Sequence, residues 1–369
     1  MEICFIRPST FCEIPFYLEL KNEGIPGAEE TLINMTDELV RQGILVTVFT
    51  NVTTSRSYHN GRLQWRPLSH MSKDLYFHTV IFWTDTIADI ELYISTIPSS
   101  KYRIVRVVNQ MPEPELKKVL SYFDYALSQS RWFSSKYPLL QTPKTIFLPN
   151  GVFPFEFSRS EYSKLPNRVF YGSDYDRGLV YLLQLWPEML KINPDLTLHI
   201  CYGWDIYDKK IERCTQSSIQ EQMIQFKSYI SHLMLQPGIK HLGRISHSDV
   251  NEQLSEASLW LYPCVFPENC STLSLKAQAA RCLPVIIPSG GLDESVYMGL
   301  KTTTRLWDRD GHSSSNLKPA LNQWRDLVFK VLSTDFSLLR PVLDYNQQRI
   351  FLQHSYSSLT IKLISALSD

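Results

Sequence analysis

The sequence predicts an α/β fold of two parallel sheets covered by helices, and three observations support this. Short β-branched and aromatic runs alternate with segments of helical periodicity, which is typical of doubly wound sheets. The chain has 369 residues, more than one ordinary core of roughly 100–200 residues accommodates. The alternation also restarts after residue 150. We therefore expect two domains.

The first domain is predicted over residues 1–150. A helix should begin at Gly27, because Leu32, Met35 and Leu39 recur at helical spacing, and Gly43 should end it. The predicted strands are Ile3–Ile6, Ile44–Thr50, Thr79–Trp83, Tyr102–Val108 and Asp124–Ser128.

The second domain is predicted over residues 151–344. Its predicted strands are Arg168–Tyr171, Leu196–Cys201, Ile239–Leu242, Leu259–Tyr262 and Pro284–Ile287. Ligands collect at the carboxyl ends of parallel strands. The expected site is therefore a cleft between two such domains that face each other.

Composition excludes several classes of function. The chain carries 37 basic and 37 acidic residues, so no global field attracts nucleic acid. Its seven cysteines are odd in number and include no Cys-x-x-Cys pair, which favours reduced thiols in the cytoplasm. No apolar run approaches the ~18 residues of a membrane span. We expect a soluble protein, at most peripheral at a membrane.

The most informative segment is Phe266–Ala280, where Glu268 stands in a turn just before a predicted amphipathic helix. A carboxylate can hold the hydroxyls of a sugar, and the N–H groups of a helix start can hold its phosphates. The segment therefore predicts a nucleotide-sugar site.

The loop Gly172–Leu179 supplies a candidate phosphate ligand. Apolar periodicity after it places Arg177 in the first turn of a helix, where a guanidinium suits a diphosphate. Pairing of Arg177 with Asp174 or Asp176 on the surface is an equally good interpretation. Metal binding by the two aspartates is disfavoured, because so short a pattern arises often by chance.

Two further loops carry weaker signals. Gly27 either lets the backbone approach a ligand closely or simply starts a helix. Arg244 follows a predicted strand and could meet a base or phosphate, with Ser246 or Ser248 as the N-cap of the next helix. No nucleophile–base pair emerges from the spacing.

The order of these motifs resembles a known family. Gly27-Ala28-Glu29, Pro149–Val152, Arg177-Gly178-Leu179 and Phe266-Pro267-Glu268 together look like the retaining GT-B glycosyltransferases of family GT4, or glycosyl transferases group 1, which includes sucrose synthases and bacterial mannosyltransferases. Tyr171–Ser173 through Tyr202–Trp204 is similar to a bacterial branch of it. The resemblance covers nearly the whole chain.

The resemblance implies a retaining transfer from a nucleotide-diphosphate sugar, most simply a UDP- or GDP-sugar, to a glycan or lipid-linked acceptor. The second domain would bind the donor and the first the acceptor, and a terminal helix at about residues 345–369 would return to the first domain. No metal or other cofactor is expected, because helix ends and basic side chains offset the charge of the leaving diphosphate.

The resemblance also assigns roles to residues. Glu268 and Asn109 are the expected catalytic residues. The expected donor-binding residues are Gly27, Arg177, Gly203, Arg244, Asn269, Cys270, Ser271, Thr272 and Lys276.

Three positions depart from the family pattern. An arginine usually follows the first strand of the second domain, and Ser173 or Asp174 stands there instead. Lys276 stands eight residues after Glu268, where a second glutamate should hold the ribose, and an ammonium accepts no hydrogen bonds. Asn109 stands where a histidine is frequent, and it can equally be part of a strand-end turn. Lys276 and Asn109 keep open the alternative of an inactive sugar-binding scaffold. A nucleotide-sugar epimerase is a further alternative, because that chemistry also occurs in this architecture.

Overall fold

A computed structural model describes residues 1–8, 17–19, 23–142, 144–158, 164–307 and 314–368. The chain divides into two compact units, which we describe separately. Unit 1 comprises Met1–Gly151 and Gln353–Asp369, and unit 2 comprises Val152–Leu352.

The described part of unit 1 contains an eight-stranded sheet with the order β3-β4-β2-β1-β5-β6-β7-β8. Only β3 runs antiparallel to its neighbour. The strands are β1 (Glu2–Ile6), β2 (Leu45–Thr50), β3 (Arg56–Tyr58), β4 (Leu63–Pro67), β5 (Tyr76–Thr84), β6 (Ser99–Val107), β7 (Tyr125–Ser128) and β8 (Thr145–Phe147).

Three of these strands were not predicted. β3 and β8 have three residues each, and no residue of either is fully buried. β4 alternates buried apolar positions with Gln64 and Arg66, so its apolar signal is diluted. Such strands can be identified from their pairing in the sheet but not from an apolar run in the sequence.

Helices α1 (Gly27–Arg41), α2 (Ile87–Tyr93), α3 (Glu113–Leu120) and α4 (Arg131–Lys136) belong to unit 1. In α1, the predicted core positions Leu32, Met35 and Leu39 are all fully buried. Gly43 follows the helix with a φ of 93°, a conformation that favours glycine at a helix end. The sequence prediction for α1 is confirmed.

The described part of unit 2 contains a six-stranded parallel sheet with the order β11-β10-β9-β12-β13-β14. From the central strand β9 the chain moves outward to β10 and β11, then crosses to β12 on the other side. The loops after β9 and β12 thus mark the topological switch point of the sheet. The strands are β9 (Leu165–Tyr171), β10 (Thr197–Cys201), β11 (Ile239–Gly243), β12 (Ala257–Tyr262), β13 (Leu283–Ile286) and β14 (Leu300–Lys301).

The helices of unit 2 enclose a core in which Trp186, Trp260 and Trp324 are almost completely buried. They are α5 (Leu179–Ile192), α6 (Asp205–Arg213), α7 (Ser217–Leu233), α8 (His247–Glu256), α9 (Thr272–Ala279), α10 (Leu292–Ser295), α11 (Leu317–Leu332) and α12 (Arg340–His354).

The predicted terminal helix of residues 345–369 is in fact two helices, α12 and α13 (Tyr356–Ser368). The break occurs at Ser355, whose Oγ accepts a hydrogen bond from the N–H of Ser358 at 3.2 Å and so caps α13. α13 packs along α1, and the Gln42 side chain donates to Thr360 Oγ1 at 2.6 Å.

Within the described residues, none of the helices combines the length and the apolar character needed to cross a membrane. Five free cysteines (Cys4, Cys201, Cys264, Cys270 and Cys282) are buried, and Cys12 lies outside the described residues.

Candidate functional site

Glu268, Ser173 and several of the predicted donor-binding residues of unit 2 lie on loops at one edge of its sheet. Ser173 and Arg177 follow β9, Gly203 follows β10, Arg244 follows β11 and Glu268 follows β12. Because the four strands are parallel neighbours, their carboxyl ends meet at the same edge.

Glu268 is held by a cation and a phenol. Arg177 Nη1 donates to Glu268 Oε1 at 2.9 Å, and the Tyr262 hydroxyl donates to the same oxygen at 2.8 Å. Since the Tyr262 proton is used in that bond, Ser173 Oγ is the donor in its 3.0 Å contact with the Tyr262 oxygen. Glu268 is 8% exposed and Tyr262 is fully buried. One carboxylate oxygen is therefore fixed in place.

The other oxygen, Glu268 Oε2, accepts no hydrogen bond from the part of the chain that the structure describes. A carboxylate has about four lone-pair sites, so Oε2 can accept bonds from hydroxyl groups.

The charges around Glu268 are stable near neutral pH. Burial alone would lower the pKa of the Arg177 guanidinium, but Glu268 and nearby phenols hold that pKa well above its ordinary value. Burial raises the pKa of Tyr262 well above its usual range, and Glu268 adds to the rise. Arg177 therefore stays charged and Tyr262 stays a hydrogen-bond donor.

Arg177 does not lie in the first turn of a helix, as the sequence predicted. It ends a short 3₁₀ turn, Tyr175–Arg177, and Gly178 separates it from α5. Gly178 has a φ of 120°, and a Cβ atom there would lie 2.0 Å from the Pro263 carbonyl oxygen. This sharp bend directs Arg177 toward the β12 loop, where its guanidinium lies 4.1 Å from the centre of the Phe266 ring.

The interpretation that Arg177 pairs with Asp174 or Asp176 is wrong. Lys210 on α6 forms ion pairs with both aspartates, with Nζ 2.9 Å from Asp174 Oδ2 and 3.6 Å from Asp176 Oδ2. Because Lys210 pairs with both aspartates, Arg177 can pair with Glu268.

The segment Asn269–Thr272 connects Glu268 to α9 and is well anchored. Ser271 is the N-cap of α9 and accepts a hydrogen bond from the N–H of Ser274 at 3.2 Å. The Gly291 N–H donates to the Glu268 carbonyl oxygen at 2.6 Å. Asn269, Cys270 and Ser271 are each 8–9% exposed.

Helix α9 is not amphipathic, contrary to the sequence prediction. All residues from Ser274 to Ala279 are buried, including Lys276 and Gln278. Gln278 donates to the Ser295 carbonyl at 2.7 Å and Ser274 Oγ donates to Ser295 Oγ at 2.8 Å. Polar contacts with α10 allow the whole helix to be buried.

Lys276 is 3% exposed, and its Nζ lies 3.3 Å from His247 Nδ1 at the start of α8. Ser246 is the N-cap of α8, as predicted. Burial raises the pKa of the Cys201 thiol to about 12, although the charges of Lys276 and Arg244 act in the opposite direction. Both cations thus lie near the end of β10.

Arg244 and Gly203 are in contact beside β10. Arg244 Nε donates to Asp205 Oδ2 at 2.7 Å, and its guanidinium lies 5.2 Å from the centre of the Tyr202 ring. Tyr202 has a φ of 127°, a strained conformation for an aromatic residue. Gly203 donates its N–H to the Tyr175 hydroxyl at 2.9 Å.

In unit 1, Gly27 is the first residue of α1, and Asn109 lies two residues beyond β6. The Asn109 side chain donates to Asp85 Oδ1 at 2.8 Å. Arg7 Nη2 lies 2.7 Å from Asp85 Oδ2 and 2.8 Å from Glu29 Oε1.

Sequence reasoning missed Tyr262, Lys210, Asp85 and Arg7. Tyr262 and Arg7 look like ordinary strand ends in the sequence. Tyr262 ends the strand that precedes Glu268, and Arg7 and Asp85 follow β1 and β5, which lie on the same side of β6 in the sheet. These positions at the carboxyl ends of strands are the signal that could have found them.

No known protein family matches the sequence, and no curated protein matches it significantly. Solved structures do match. The sucrose-phosphate synthase of Thermosynechococcus elongatus is 13% identical with a TM-score of 0.70, over 100% of this chain and 98% of that one. HepE of Anabaena, in complex with UDP and glucose, is 13% identical with a TM-score of 0.64, over 100% and 99%. The trehalose 6-phosphate synthase of Burkholderia multivorans is 11% identical with a TM-score of 0.64, over 100% and 96%.

These similarities establish the fold. The chain consists of two parallel-sheet α/β domains of the GT-B class, as the sequence predicted.

Tyr262→Phe tests the support of Glu268. Without the Tyr262 hydroxyl, Ser173 Oγ loses its hydrogen-bond acceptor and the buried Glu268 Oε1 loses one of its two donors. We therefore expect unit 2 to lose about 1–3 kcal/mol of stability. Urea unfolding followed by tryptophan fluorescence measures the loss. Tyr229→Phe is the matched control, since Tyr229 is 45% exposed. Equal effects of the two changes would contradict the buried hydrogen-bond chain.

Gly178→Ala tests the bend before α5. Its Cβ would collide with the Pro263 carbonyl, so we expect a loss larger than the ~1 kcal/mol typical of a positive φ alone. Gly243→Ala is the control, because Gly243 has a φ of 66° and nothing within 4 Å of its Cβ position. Urea unfolding of both variants gives the comparison. If Gly178→Ala loses no more stability than Gly243→Ala, the close contact with the Pro263 carbonyl is unimportant.

Proposed function

We propose that this chain is a glycosyltransferase that moves a sugar from a nucleotide-diphosphate sugar to an acceptor. The proposal rests on the hydrogen bonding of Glu268. One of its oxygens is fixed by Arg177 and Tyr262, and the other is open, at the switch point of the unit 2 sheet. Such a carboxylate is suited to accept hydrogen bonds from a sugar.

The donor would bind to unit 2. Glu268 Oε2 would accept a hydroxyl proton of the donor sugar, and the start of α9, from Asn269 to Thr272, would take a phosphate through backbone N–H groups. Arg177 would offset the negative charge that develops on the leaving diphosphate. Gly203, Arg244 and Lys276 would form the side of the site nearest β10. A basic side chain and a helix start together make transfer without a metal ion reasonable.

A uridine nucleotide is the first choice for the donor, with a guanosine nucleotide second. HepE binds UDP and glucose, and an E. coli structure with the same fold, described as trehalose-6-phosphate, is bound with UDP-2-fluoro-glucose. The ribose would not be held by residue 276 in the way a glutamate holds a diol, because Lys276 can only donate hydrogen bonds.

We further propose that the chain is one of the retaining enzymes of family GT4. In that mechanism the anomeric carbon passes through an oxocarbenium-like state, and a phosphate oxygen of the donor takes the acceptor's proton. Protein groups stabilise charge and no strong base is needed, which suits a site built from Glu268, Arg177 and a helix start. Unit 1 would bind the acceptor, a glycan or lipid-linked sugar, with Asn109 as a hydrogen-bonding residue. Gly27, at the start of α1, stays a proposed donor-binding residue.

A panel of UDP-glucose, GDP-mannose and ADP-glucose, with release of nucleoside diphosphate as the readout, tests the proposal. One donor should be turned over, and Glu268→Gln should lower kcat/KM about 10- to 100-fold, as expected for a lost charge-assisted hydrogen bond. The physical reason is that Arg177 and Tyr262 both require an acceptor, so the glutamine would turn its NH₂ group toward the sugar.

Glu188→Gln, at an exposed position on α5, is the control and should behave as the parent. Isomerisation of the donor without transfer would identify an epimerase. A folded parent that turns over no donor in the panel, with or without an added glycan acceptor, would contradict the proposal.

A further inference from the structure

Three neighbouring strands of unit 1 are each followed by a polar residue, and the middle one, Asp85, contacts the other two. Arg7 directly follows β1, Asp85 directly follows β5, and Asn109 lies two residues beyond β6. β1, β5 and β6 are adjacent and parallel. The three side chains therefore meet at the carboxyl edge of the sheet, where ligands of open α/β sheets bind.

The contacts form a chain from the interior to the surface. Arg7 and Asp85 are 4% and 8% exposed, whereas Asn109 is exposed. Arg7 Nη2 binds Asp85 Oδ2 at 2.7 Å, and Asp85 Oδ1 accepts the Asn109 NH₂ group at 2.8 Å. Both oxygens of the buried carboxylate are thus used, one toward a buried cation and one toward an exposed amide.

Arg7 is shared between two carboxylates. Its guanidinium also binds Glu29 Oε1, through Nε at 3.2 Å and Nη2 at 2.8 Å. Burial alone would lower the pKa of Arg7, but Glu29 and Asp85 hold that pKa above its ordinary value. Burial raises the pKa of Asp85, and the charge of Arg7 acts in the opposite direction. Asn109 supplies a further hydrogen-bond donor to Asp85.

The chemistry of Asp85 fixes the orientation of the Asn109 amide. An ionised carboxylate can only accept hydrogen bonds, so the NH₂ group of Asn109 must face Asp85 and the carbonyl oxygen Oδ1 must face away. Asn109 Oδ1 accepts no hydrogen bond from the residues that the structure describes. The result is an exposed acceptor with a defined orientation.

We propose that Asp85, held by Arg7, is a positioning residue that presents Asn109 Oδ1 to a hydroxyl group of the carbohydrate substrate. The inference rests on the proposed function, because it needs a sugar to bind at this edge of unit 1. It adds to that function a specificity for a hydroxyl donor, since a correctly oriented Oδ1 rejects a group that can only accept.

A double-mutant cycle with Asp85→Asn and Asn109→Ala tests the inference, using the donor of the panel with the highest turnover. In Asp85→Asn the new amide can offer either its NH₂ or its oxygen, so Asn109 is free to flip. We expect about a tenfold loss of kcat/KM from each single change, the scale of one hydrogen bond to a substrate. The double variant should lose no more than Asn109→Ala alone, because Asp85 acts only through Asn109.

Three controls separate positioning from a structural role. Asp74→Asn, at an exposed position before β5, should leave kcat/KM unchanged. The thermal shift that UDP causes should be the same in all variants, since the proposed nucleotide site lies in unit 2. Asp85→Glu keeps a carboxylate and should recover part of the activity.

Additive losses of kcat/KM in the cycle would overturn the inference and leave the proposed function intact. The same holds if the loss of kcat/KM in Asp85→Asn is explained entirely by a lower melting temperature. A parent that turns over no donor would instead refute the proposed function, and with it this inference.

Discussion

The ion pair between Arg177 and Glu268 joins the two loops that leave the switch point of the unit 2 sheet, and the rest of the site is organised around it. The pair forms because Gly178 bends the chain beside Pro263, Lys210 takes the competing aspartates, and Tyr262 supplies a second donor to the same carboxylate oxygen. Glu268 is buried, so removing Arg177 would leave a buried carboxylate without its cation, which is costly. The pair therefore fixes a single orientation of Glu268 and leaves the other oxygen for a ligand.

Both units use the same physical arrangement at the carboxyl edge of a parallel sheet. In each, an arginine holds a buried carboxylate, and the group leaves one acceptor without a hydrogen bond from the described residues: Glu268 Oε2 in unit 2, and Asn109 Oδ1, through Asp85, in unit 1. Preorganised acceptors of this kind need little rearrangement when a hydroxyl binds, which is how a site without a strong base can favour a charged transition state.

The sequence alone predicted the two-sheet α/β class, helix α1 and its glycine end, and the five main strands of unit 2, because apolar periodicity and buried runs are local signals. It did not predict β3, β4, β8 or β14, whose short or mixed sequences become strands only beside their neighbours. It singled out Glu268 and Arg177 but not their ion pair, because the partner of Arg177 is 91 residues away. The same holds for Asp85 and Arg7, which become polar neighbours of Asn109 only through strand order.

The most direct test of the central claim is the melting temperature of the full chain with UDP, GDP, ADP, CMP and dTDP, each with and without magnesium. A ligand that binds only the folded state raises that temperature. The account predicts that one nucleoside diphosphate, with UDP the first choice, raises the melting temperature equally in both conditions, and that Arg177→Met abolishes the rise. No rise with any nucleotide in a folded sample, or an equal rise in the Arg177→Met protein, would contradict it.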